Sequence, residues 1–170
     1  MITTQYARTM ARYNRWQNQN LYQAANSLSA EERDLDRGAF FGSIRQTLNH
    51  IYWGDKIWMS RLNESVSKPS AGSIGVSIDE FENWDQLVAE RPLLDEQILS
   101  WAEELSDADL QGDLNWYSSS VEKDMSTPRA ICITHMFNHQ THHRGQVHAM
   151  LTAAGVIPSD TDLCFMPENV

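Results

Sequence analysis

The run Thr127-Pro128-Arg129-Ala130-Ile131-Cys132-Ile133-Thr134-His135-Met136-Phe137-Asn138-His139-Gln140-Thr141-His142-His143-Arg144-Gly145-Gln146-Val147-His148-Ala149-Met150-Leu151-Thr152-Ala153-Ala154-Gly155 reads as one long helix. Thr127 is a good N-cap and Pro128 a good first helical residue. Gly155 suits the position just past the C-cap, and Pro158 follows as a stop. Only Gly145 interrupts the pattern. At about 100° per residue, with His135 set at zero, His139 falls at roughly 40° and His143 at roughly 80°. The apolar Ile133, Met136, Phe137, Val147 and Leu151 fall at roughly 100–200° on the same wheel. The three histidines at i, i+4 and i+8 therefore line one flank of the buried face. His148, at roughly 220°, lies away from them.

Three more long helices lie upstream. The first covers about residues 2–28, with Tyr6, Met10, Tyr13, Gln17, Leu21, Ala24 and Leu28 at spacings of three and four. Ser29 and Glu32 form a capping box that starts a short turn ending near Gly38. The second fits 43–63, opened by Ser43 and Gln46, with Ile44, Leu48, Ile51, Met59 and Leu62 as its stripe. Residues 64–78 are rich in Ser, Gly and Pro and read as a connection. The third lies within 79–105, where Pro92 is expected to kink or break it. Residues 106–126 are polar and aperiodic, with Leu114–Tyr117 as an extended candidate. Four long helices without a convincing strand pattern predict an all-α fold, a four-helix bundle forming one domain over 1–170.

The chain of 170 residues carries 13 Lys+Arg against 23 Asp+Glu, a net charge of −10. No basic cluster appears, so nucleic acid is not an expected partner. No apolar run approaches the roughly 20 residues that span a bilayer, and a membrane is not expected either. The start lacks the features of a secretory signal. With two cysteines, a disulfide framework is not expected, and a cytoplasmic location is.

Two histidines at i, i+4 present their rings one turn apart on one side of a helix, as a metal-chelating pair does. A third ligand must come from elsewhere. His50, on the flank of the second helix, is the only histidine outside the last helix. The spacing alone leaves open which of His135, His139 and His143 join it. The absence of His-Glu-x-x-His excludes a zincin, and the absence of Glu-x-x-His speaks against a di-iron carboxylate centre. The bland alternative is a hydrogen-bonded polar cluster at the bundle edge.

Asp55 and Arg144 both fall among apolar positions, where a charge must pair or reach solvent. An Asp55–Arg144 pair linking the second and last helices is the expectation. Gly145 is expected to permit a close helix approach. Trp53, Trp58, Trp84, Trp101 and Met150 read as core, with one or two of them available to line a pocket. Cys132 reads as a small core residue, and Cys164 has no assignable role.

The run His135–Gln146, with Thr47-Leu48-Asn49-His50-Ile51, Tyr13–Asn18 and Thr161-Asp162-Leu163, resembles the DinB/YfiT-like metalloenzyme family over nearly the whole chain. His-x-x-x-His-Arg-Gly-Gln is the most specific part. The resemblance implies an up-down-down-up bundle, a homodimer, and a divalent metal held by His50, His139 and His143. It implies zinc or nickel, with iron or manganese as further possibilities. It also implies a small-molecule substrate, a low-molecular-weight thiol such as bacillithiol, mycothiol or glutathione, and a link to the damage and stress response. On this basis the expected function is a metal-dependent enzyme of the thiol S-transferase type. A hydrolase, a non-enzymatic metal-binding stress protein and a haem-binding bundle are the alternatives, and haem ranks lowest because it needs opposed ligands. His142 and His135 are candidate bases beside the metal.

Overall fold

Helix starts are set by side chains that satisfy orphan amides. In a computed structural model of residues 1–170, Thr3 accepts from the Tyr6 amide at 3.1 Å and opens α1 (Thr4–Asn26). Ser29 and Glu32 close a full capping box on α2 (Ala30–Asp34). Ser43 caps α3 (Ile44–Leu62) by accepting from Gln46. Asn83 does the same for α4 (Trp84–Glu104). A 3-10 turn at Ile74–Asp79 follows α3, and another at Asp107–Leu110 follows α4. The last helix is α5 (Arg129–Ala153).

The four long helices bury their apolar stripes against one another. α1 packs on α4 and α5, and α3 packs on α5 and α4, which puts α3, with His50, and α5, with the other five histidines, side by side. The core is one cluster of 28 buried residues, drawn mainly from these four helices. No helix is long and apolar enough to cross a membrane.

Two strands interrupt the helices. β1 (Asp113–Ser118) pairs antiparallel with β2 (Lys123–Pro128), with Leu114 opposite Thr127 and Trp116 opposite Met125. β1 contains the expected extended segment. β2 carries no alternating pattern, since Met125 is its only large apolar residue; its pairing comes from the backbone ladder. This pairing corrects the start of the last helix. Thr127 lies in the strand and accepts no helix amide, Pro128 is the N-cap, and the first helical amide, that of Arg129, donates to the Gly112 carbonyl at 3.0 Å. The C-terminus follows expectation. Gly155 has φ +81°, its amide donates to Thr152, and the Val156 amide reaches back to Leu151.

Three further expectations are corrected. Pro92 does not break α4, which runs unbroken through it. Pro92 lies on the exposed face, where a carbonyl left without its donor can meet water, while Leu87, Leu94 and Ile98 anchor both halves in the core. Gly145 marks no close approach, because a Cβ there would meet nothing within 4 Å. Asp55 does not pair with Arg144. Its Oδ2 accepts from Arg91 Nη1 of α4 at 2.6 Å, and Arg91 also lies 2.9 Å from Asp95. Arg144 donates instead to Asn14 of α1 at 2.6 Å and to Gln140 at 2.7 Å.

Candidate metal centre

His50 projects from α3 and His139 and His143 from α5, at the seam between the two helices. One ligand atom from each lies within 4.8 Å of the others. The ring centroids are 5.0 Å (His50–His139), 4.7 Å (His50–His143) and 4.5 Å (His139–His143) apart. His50 Nε2 stands 3.0 Å from His139 Nε2. Two bare lone pairs this close repel, so the spacing requires a proton or a cation between them. Two nitrogens on one tetrahedral zinc would be roughly 3.3 Å apart at ordinary zinc–nitrogen bond lengths.

Two of the rings are oriented from behind. His50 Nδ1 lies 2.8 Å from Ser77 Oγ, and that hydroxyl donates to the Ile74 carbonyl at 2.7 Å. With its proton so committed, Ser77 accepts from His50 Nδ1–H, which leaves Nε2 as the free lone pair. His143 Nδ1 lies 2.8 Å from Gln146 Oε1 and is fixed in the same sense. His139 Nδ1 is buried without a partner. Its ring occupies space that only a glycine leaves: a Cβ at Gly54 would stand 2.7 Å from His139 Cε1. Phe41 covers the centre, stacked on His50 at 3.9 Å and tilted on His143 at 5.3 Å.

Burial pushes the pKa of His50 down to about 3, helped by His143. Burial and the neighbouring His143 and His50 push His139 down to about 3 as well. Burial lowers His143 too, against the opposing effect of the hydrogen bond that it donates to Gln146. All three imidazoles are therefore neutral at pH 7, the form that binds metal. The donor set, tautomers and convergence fit a divalent ion of the kind that imidazole favours, zinc, nickel or iron among them.

His50 and His139 also line a cleft of about 390 Å³ with Trp53, Trp58, Arg61 and Trp116. A DinB family model matches this chain over residues 1–169. The chain belongs to the DinB family. "Protein DinB" of Bacillus subtilis (strain 168) is 25% identical over 162 residues, which are 92% of this chain and 91% of that protein. The crystal structure of a DinB-like protein from Bacillus cereus ATCC 10987 superposes with a TM-score of 0.52 at 18% identity, covering 85% of this chain and 89% of that one. The second likeness speaks to the fold. As a member of the DinB family, the chain has the all-α architecture expected of it, and its three-histidine cluster is compatible with metal binding.

The other candidates divide as follows. His135 is exposed, sits edge-on to Trp58 at 4.9 Å, and lines the cleft outside the cluster. His142 is exposed beside His143, with ring centroids 4.8 Å apart. His148 faces another cavity, beside Tyr13 and Arg144. Cys132 is a buried core residue and Cys164 is exposed in the C-terminal segment. Of the tryptophans, Trp53 and Trp58 line the cleft, while Trp84 stacks on Tyr22 elsewhere. Periodicity gave no hint of Ser77, Phe41, Gly54, Arg61 or Trp116. Gln146 belongs to the run that carries the family resemblance, which assigns it no role.

Proposed function

We propose that His50, His139 and His143 hold one divalent metal ion, and that the protein is a metal-dependent enzyme of the thiol S-transferase type acting on a small molecule in the adjoining cleft. The observation that carries this reading is that three imidazoles converge and two of them, His50 and His139, stand on the wall of an open cleft. Three protein ligands leave room for a fourth from solution, as catalytic rather than structural sites do. Bound there, the ion would supply Lewis-acid activation of a thiol or water at neutral pH.

The protein's own residues support the thiol version. No Asp or Glu lines the cleft, and neither Cys132 nor Cys164 reaches it. The chain thus offers neither a carboxylate base nor a thiol of its own at the site, which favours a thiol brought in as co-substrate. Ser77 and Gln146 hold the ligand rings in register. Trp53, Trp58 and Trp116 give the cleft apolar walls. His135 stands at its edge, where it can exchange a proton with a bound molecule. A homodimer in the cytoplasm, acting in the damage response, is the setting that family membership supports.

Elemental analysis of the purified protein tests the first half. One equivalent of zinc or nickel is expected, lost in His50→Ala, His139→Ala and His143→Ala and kept in His148→Ala. Turnover of a low-molecular-weight thiol with an electrophile tests the second. Full metal loading with no turnover across bacillithiol, mycothiol and glutathione would favour a non-enzymatic metal-binding protein.

A further inference from the structure

The cleft carries a charge pattern at odds with the chain around it. The protein has a net charge of −10, yet the only formally charged side chains lining the cleft are Arg61 and Lys68. Arg61 sits in the last turn of α3, half-buried. Its guanidinium lies 4.7 Å from the Trp58 ring and 5.3 Å from the Trp116 ring, and those two rings pack edge to face at 5.5 Å. Nine of the ten arginines have a hydrogen-bond or ion-pair partner within the chain; Arg61 has none. Burial holds its pKa below the ordinary guanidinium value, with no carboxylate opposing the shift.

A guanidinium held by indole faces keeps its N–H edge free. That edge is a planar fork matched to one carboxylate. That edge is not sealed inside the protein but opens on the cleft, where a bound ligand can take the place of water. The distance to the histidines also constrains the ligand. Gly54, against which His139 rests, and Arg61 are two turns apart on α3, roughly 10 Å along the axis.

We propose that the cleft takes a small molecule with a carboxylate at its far end, held by Arg61 and reinforced by Lys68 at the rim, with an apolar middle against Trp58 and Trp116. Its other end reaches His50 and His139, and only this part of the inference rests on the metal-centre reading. The carboxylate subsite selects the substrate or thiol by charge and length, and Arg61 determines specificity without touching the reacting atoms.

Titration calorimetry on the metal-loaded protein tests this, with 6-mercaptohexanoate and its methyl ester as probes. The two differ in charge at the end remote from sulfur. The acid is expected to bind about tenfold more tightly than the ester, as a charged hydrogen bond warrants. Arg61→Met should bind acid and ester alike, keep the ester affinity of the parent, and retain full metal content. Arg61→Lys should keep part of the preference. In the parent protein the preference should shrink as salt is raised, a readout that needs no variant to fold. Equal affinity for acid and ester, no measurable binding of the acid, or a preference that survives in Arg61→Met would overturn the subsite. The same titrations on chelator-treated protein separate the two readings. An acid preference that persists there supports the subsite even if the protein proves to hold no metal, and absence of metal alone overturns only the centre.

Discussion

The His139 ring rests against Gly54 of the neighbouring helix so closely that a methyl group on Gly54 would stand 2.7 Å from Cε1 and 3.1 Å from Nδ1. A glycine in mid-helix is less favourable than alanine by about 1 kcal/mol. Here that cost accompanies the close seating of the His139 ring, in space that a Cβ would take. Gly54→Ala should therefore displace His139 and weaken metal binding about tenfold or more, the scale of losses from residues that orient ligands. Far-UV circular dichroism should show the helices intact. Metal affinity equal to that of the parent protein, measured by competition with a chromophoric chelator, would show that His139 does not ligate from this position.

Ser77 acts through His50. Ser77→Ala removes the acceptor that fixes the His50 tautomer, and metal affinity should fall by about 10- to 100-fold. The 3-10 turn carrying Ser77 should remain, since the side chain makes no other hydrogen bond across to α3. Gln146→Leu should act likewise through His143. Protein stability without metal should change little in either variant, which separates loss of orientation from loss of folding.

The metal-free protein should be acid-sensitive in a defined window. His50 and His139 have folded-state pKa values of about 3, well below the ordinary 6.5. Between those values the unfolded chain binds protons that the folded chain refuses, so stability falls as pH drops below about 6.5 and continues falling towards about 3. Thermal melts of chelator-treated protein should show this slope, and His139→Gln should flatten it. A flat Tm from pH 7 to pH 4.5 would mean that these imidazoles are not buried neutral.

The buried charges at the bundle centre should be strongly coupled. Asp55, Arg91 and Asp95 are each about 2% exposed or less, with Arg91 between the two carboxylates. Burial pushes the Asp55 pKa up to about 7 against the opposing charge of Arg91. Arg91→Met strands both carboxylates and should destabilise by about 3–5 kcal/mol. Asp55→Asn with Arg91→Met should be far less destabilising than the sum of the two single changes. Additive effects in a denaturation cycle would contradict the pairing.

Metal removal should leave a folded protein. The core cluster is formed by helix–helix packing that does not pass through the three histidines. Chelator treatment should lower Tm by several degrees through loss of a folded-state ligand, with the helical signal retained. Collapse of that signal would point to a structural metal.

Features legible in the residues alone were local. The spacing of His135, His139 and His143 on one helix, the left-handed Gly155 that ends it, and the Ser29–Glu32 box all follow from residues a turn or so apart. Those are properties of one backbone, and periodicity reads them directly. What only the tertiary structure decided was which faces meet. Asp55 had two buried arginines within reach in principle, and the packing of α4 against α3 gave it Arg91, while Arg144 turned to Asn14 of α1. Likewise the glycine that matters for helix approach is Gly54 and not Gly145, and the partners behind His50 and His143 are a serine from a connection and the glutamine that ends the His-x-x-x-His-Arg-Gly-Gln run. A helical wheel fixes the direction of a side chain about its own axis. It says nothing of the rotation and axial offset of the neighbouring helix, which many weak packing contacts set together.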